Sequence, residues 1–269
     1  MKPLTLSLIF LACLALAGCG AQNTRSNVES PGSDKSTKTS TLETGTAMLQ
    51  SKEPLSAINV YMDGFHFYNG NMKGQMEAHH YCAVLNEDLN QCVIFDGNRK
   101  DAKIMGVEYI ISKKLYETLP ADEMKLWHSH VYEVKSGLLI ASGIPEAAEH
   151  EFMEKIAGTY GKTWHTWHTD QQRTLPTGHP LLMMGFTEEG QINPQLVTER
   201  DKRFNISSED NKKKRADIQT PPIDPRADSW KKGETMQLTL GPMTKEASAA
   251  MSKQHEAHSR QDRKSGPEK

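Results

Sequence analysis

Two short β-rich runs, AHHYCAVL and QCVIFDG, flank the turn-like NEDLN, and this pattern constrains the fold more than any other stretch. A hairpin turning at Glu87 sets Cys82 directly opposite Cys92. Cysteines paired that way bond only with strained geometry, so they are either a candidate disulfide or two buried thiols. The run AKIMGVEYIIS reads as a further strand, after which Ser112 can cap a helix through KKLYETL. Pro120 can open the next helix, PADEMKLW, at its first position.

Downstream, SHVYEVKSGLLIAS reads as two strands meeting at Lys135-Ser136-Gly137. PEAAEHEFMEKIAGTYG reads as a helix closed by Gly161, and KTWHTWHTD and PLLMMGFT as two more strands. Upstream, LSAINVYMDGFHFYNG places Leu55, Ile58, Met62, Phe65 and Tyr68 at helical spacing. The irregular order implies an α+β fold: a single compact domain of mostly antiparallel strands and hairpins with several helices, over residues 52–235.

The rest of the chain is polar. Ala21 to Ser51 is rich in Ser, Thr, Asn and Gly and offers little apolar surface to offset ordering entropy, so residues 19–51 are expected to be a flexible tether. Residues 236–269 read as a polar tail. At the N-terminus Lys2 precedes the apolar Leu4–Leu16, and the segment ends in Leu16-Ala17-Gly18-Cys19, which resembles a bacterial lipobox. Residues 1–18 are then a signal peptide, and Cys19 is the lipidated residue that anchors the chain in a membrane. The implied address is the bacterial cell envelope, and Gly20 after the cysteine favours the outer membrane, facing the periplasm. Cys82 and Cys92 would then lie in a compartment that permits disulfides. The net charge of −2, with no basic stripe, argues against nucleic acid as a partner.

Histidines carry the most chemistry. In LWHSHVYEVKSG, His128 and His130 share one face of a strand, about 6–7 Å apart. Glu133 falls on the other face unless a turn or bulge intervenes. A closing ligand must come from elsewhere: His66, His80 and His165 are candidates. In EAHHYC, His80 shares a face with Cys82 while His79 points away. His128, His130, His80 and His165 are therefore the candidate ligands of a divalent transition metal, against the alternative that they simply pack. The chain has no G-x-S-x-G elbow, P-loop or H-E-x-x-H helix.

Taken together, EAHHYCAVLNEDLNQCVIFD, IMGVEYIIS, LYETLPADEMKLWHSHVYEVKSG and YGKTWHTW resemble the oil-body-associated protein family, a domain of unknown function, DUF1264. LVTERDKRF and IDPRADSW extend the similarity to roughly Leu55–Lys231. The resemblance implies that residues matching His79, His80, His128, His130 and His165 form one site, and that cysteines recur at Cys82 and Cys92 in cytosolic members. Because plant members are associated with seed oil bodies, it also implies work at a lipid surface or binding of an apolar ligand, without enzymatic activity. The lipobox, tether and tail depart from those members. The alternative is a metal-dependent enzyme using the histidine cluster.

Overall fold

The computed structural model describes residues 23–253. Helix α1 (Thr37–Leu49) and the single turn α2 (Glu53–Ser56) precede four consecutive strands: β1 (Val60–Tyr68), β2 (Asn71–Asn86), β3 (Leu89–Phe95) and β4 (Ile104–Ser112). Short helices α3 (Lys113–Tyr116) and α4 (Ala121–Met124) lead to β5 (His128–Ser129) and α5 (Val131–Lys135). Then come α6 (Glu146–Ala157), β6 (Thr159–His165), β7 (Leu181–Met184), α7 (Pro194–Phe204) and α8 (Ser208–Lys214).

Each strand pair is antiparallel, and β4 pairs with β6, which pairs with β7, which returns to β1. The sheet is a closed barrel of β1, β2, β3, β4, β6 and β7, and β5 lies along β6 at Tyr160 and Gly161. Closure removes the free edges of an open sheet. Directly paired residues share a face. The register Met62↔His80, Cys82↔Cys92, Cys92↔Glu108, Glu108↔Thr163 and Gly106↔His165 therefore places these residues on the inner wall.

One end of the barrel is plugged by apolar packing. Val134 of α5 and Met153 and Ile156 of α6 meet the inward-facing Met62, Cys82, Cys92 and Ile110. Outside, Phe65, Phe67, Leu182, Met184 and Phe186 form a second core beneath Leu196 and Val197 of α7 and beneath Trp230. A third core stacks Tyr116 on Tyr160.

The structure departs from the sequence reading in four places. Residues 60–68 form a strand rather than a helix. Phe65 and Phe67 are buried outside the barrel and His66 and Tyr68 inside it, so burial on both faces hides the period of two. SHVYEVKSGLLIAS contributes only two strand residues and then turns into α5. Helix α6 stops at Ala157 before Gly158, which leaves Gly161 inside β6.

The fourth departure lies in the expected tether. Thr24 N–H donates to Asn98 Oδ1 and its carbonyl accepts from Asn98 N–H. Ser26 Oγ and Asn27 N–H both donate to Asp96, and Val28 is buried. This contact is made with hydrogen bonds rather than apolar area, so composition does not reveal it. Within the rest of that stretch, α1 buries no residue.

Candidate metal centre

The barrel interior gathers His66 from β1, His80 from β2, Glu108 from β4, His128 from β5 and His165 from β6. His130 is the residue from which α5 starts, and Glu133 lies one turn into that helix. All seven side chains are buried. The short helix decides the place of Glu133: positions three apart on a helix share a side, so Glu133 returns toward His128 instead of pointing away as on a strand. Its Oε2 stands 3.9 Å from His128 Nε2.

Glu108 is the hub. Its Oε1 lies 3.2 Å from His130 Nε2 and 3.6 Å from His128 Nε2. Its Oε2 lies 2.9 Å from His80 Nε2 and 3.7 Å from His66 Nε2. Two donors bound to one tetrahedral ion at about 2.0–2.1 Å stand roughly 3.3 Å apart, so these hydrogen-bonded and ion-pair spacings are also compatible with a coordination shell. Glycine makes the room. A Cβ at Gly161 would overlap Glu108 Oε1 and stand 2.8 Å from both His128 Nε2 and His130 Nε2. A Cβ at Gly185 would stand 2.7 Å from Glu133 Oε2.

Many of these atoms have no hydrogen-bond partner among the described residues: both ring nitrogens of His128 and His165, Nδ1 of His66 and His80, and Oε2 of Glu133. Each such buried atom costs on the order of 1–3 kcal/mol if nothing binds it. Burial also sets the charge states. It pushes His128 down to about 3, and it does the same to His165, with the neighbouring His80 adding to the effect there. His66 is held well below the usual histidine range by burial and then by His80. For Glu108, burial opposes the charge, but hydrogen bonds from His130 and His80 outweigh it and hold the carboxyl well below its usual range. Burial, helped by the charge of Glu108, raises Glu133 well above its usual range. Neutral imidazole is the form that ligates metals.

The sequence-derived candidates His80, His128, His130 and His165 all point into this interior, and His66 joins them. Glu108 is missing from the sequence reading, and Glu133 enters it only if a turn or bulge follows His130, as α5 does. His79 lies on the other barrel face, where its Nδ1 is 3.1 Å from Asp63 Oδ2. Cys82 and Cys92 form a disulfide on the inner wall, with Cα atoms 4.0 Å apart. Cys19 lies outside the described residues.

A family model described as a protein of unknown function, DUF1264, matches residues 52–219. The chain belongs to the DUF1264 family. This DUF1264 chain is 41% identical over 218 residues to oil body-associated protein 1B of Arabidopsis thaliana, covering 80% of the chain and 90% of that protein. It is 44% identical over 209 residues to oil body-associated protein 1A of Zea mays, covering 77% and 88%. Oil body-associated protein 2C of Arabidopsis thaliana is 42% identical over 204 residues, covering 75% and 86%. These relatives are plant proteins. No solved structure matches the chain. No helix among the described residues is long and apolar enough to cross a membrane.

Proposed function

We propose that this DUF1264 chain is a metal-binding barrel that works at a lipid surface. A divalent transition ion would be held by Glu108, His128, His130 and Glu133. The observation that carries the reading is the convergence of Glu108 Oε1, His128 Nε2 and His130 Nε2 around Gly161, amid buried nitrogens with no partner. The donors are imidazole and carboxylate, with no thiolate, a set that suits zinc, iron or manganese and disfavours copper(I). A bound ion would supply Lewis-acid chemistry. The chain's own part is to hold the donors neutral or anionic in a buried interior and, through α5, to aim Glu133.

Untagged full-length protein should carry stoichiometric metal by elemental analysis, and His128→Ala/His130→Ala should lose it. Absence of metal after growth in supplemented medium would overturn the reading.

The lipid surface is supported by the relatives, which are named as oil body-associated, by the Cys19 lipobox and by one surface feature. A groove of about 360 Å³ on the outer wall is lined by Leu55, Ile58, Tyr81, Val93, Phe95 and Ile104. Gly97 lines the same groove, next to the Asn98 that holds Thr24. Thr24 is five positions after Cys19, a span of at most ~18 Å, so a lipid on Cys19 would keep this wall near the bilayer. Cys19→Ala should move the protein from the membrane to the soluble fraction. Retention on membranes would refute the lipobox and leave the barrel itself as the lipid-binding element.

A further inference from the structure

The donors inside the barrel outnumber what one ion uses. Four ligands complete a tetrahedral shell and six an octahedral one. Glu108 divides the donors into two groups, one at each carboxylate oxygen. At Oε1 stand His128 and His130, with Glu133 beyond them. At Oε2 stand His80 and His66, from the neighbouring strands β2 and β1, and the His66 ring centroid also lies 5.8 Å from that of His128. The His66 ring centroid is 5.0 Å from that of His80 and 5.5 Å from that of His165. On this second side, both nitrogens of His165 and Nδ1 of His66 and His80 lack partners among the described residues.

We infer that the barrel holds a second metal ion, on His66, His80 and Glu108 Oε2 with His165 beside them, so that Glu108 bridges two ions. The inference rests on the metal reading of the previous section. Two divalent ions carry four positive charges, against Glu108 and, once an ion displaces its proton, Glu133. Burying the excess is costly, so the pair favours a hydroxide or a substrate oxyanion as a further ligand. An oxyanion is thus the class of ligand that the paired site takes. The arrangement matches the general logic of two-metal sites, in which both ions act on one bridging oxygen ligand.

The test is metal stoichiometry on the untagged full-length chain. Two ions per chain are expected in the wild type and one in folded His66→Ala/His80→Ala. One ion in the wild type, unchanged in that variant, overturns the second site and leaves the first intact. No ion at all overturns both. Two ions in the variant place the second ion elsewhere and also overturn the inference. Cobalt(II) titration of metal-stripped wild type needs no variant. Two successive equivalents, each changing the visible spectrum, support the bridged pair, and saturation at one equivalent overturns it.

Discussion

The two faces of strands β1 and β2 carry similar residues and put them to different ends. On the outer face Asp63, Glu77 and His79 are gathered; on the inner face stand His66 and His80. The outer group is closed by cations from α7. Arg200 Nη1 donates to Asp63 at 2.7 Å and to the Leu138 carbonyl at 2.8 Å, while Nη2 reaches Ser208 Oγ. Arg203 pairs with Glu77, and Tyr61 Oη sits 2.8 Å from His79 Nδ1. The inner group has no arginine or lysine paired with Glu108 or Glu133 among the described residues. Residue types alone do not separate the two groups. What separates them is whether the fold itself brings the countercharge. Where it does, the cluster fastens α7 to the barrel; where it does not, buried donors stand without a fixed countercharge, as the proposed metal site requires.

Breaking the outer network should cost the most. Arg200→Ala strands a buried carboxylate and should lower stability by about 3–5 kcal/mol in urea denaturation. Metal bound per folded molecule should not change. Loss of metal from folded Arg200→Ala would erase the distinction between the two faces. Asp228 is the intermediate case: buried, accepting the Ser129 N–H at 3.1 Å, with no ion pair among the described residues. Burial raises its carboxyl to about 7, although the Ser129 hydrogen bond opposes the shift. The folded state therefore keeps a proton that the unfolded chain releases above about 4. Stability is full below that pH and is lost as pH rises toward 7, by up to about 4 kcal/mol. Asp228→Asn should remove this loss. Denaturation of both proteins from pH 4 to pH 8 checks it; parallel curves would refute the assignment.

Several features were legible in the sequence because they follow local rules. The strand-rich α+β class came from short β-branched runs and turn residues. The opposite placement of His79 and His80 came from the period of two. The closed barrel was not legible, because β4 meets β6 across some fifty residues of intervening chain and nothing in either run specifies the partner. Glu108 was hidden by an inverted alternation: β4 buries Gly106, Glu108 and Ile110 and exposes Val107 and Tyr109. A lone carboxylate in phase with buried Ile110 was the available signal. On a strand continuing past Ser129, Glu133 would face away from His128 and His130, and only an intervening turn or bulge brings it back. The helix that follows reverses its direction, and its start depends on tertiary packing of Val134 rather than on a strong local signal.

The smallest expected effect gives the sharpest view of the inner face. Gly161 has no positive φ, so its backbone accepts alanine without strain. The obstacle is the added methyl, which would overlap Glu108 Oε1 and crowd His128 and His130. Gly161→Ala should fold, because the atoms an added methyl meets are side-chain ends rather than backbone. Its metal affinity should fall at least tenfold, about 1.4 kcal/mol, in competition with a chelator. Gly158→Ala is the control three residues earlier. Its methyl would stand 3.2 Å from Pro221 Cδ and meets none of the interior donors, so metal affinity should stay at the wild-type value. If both variants lost metal equally, the effect would come from general loosening of β6, and the donors around Gly161 would not be the ones that hold the ion. If neither did, Glu108 would be able to move without consequence, and its place as the hub of the interior would fail.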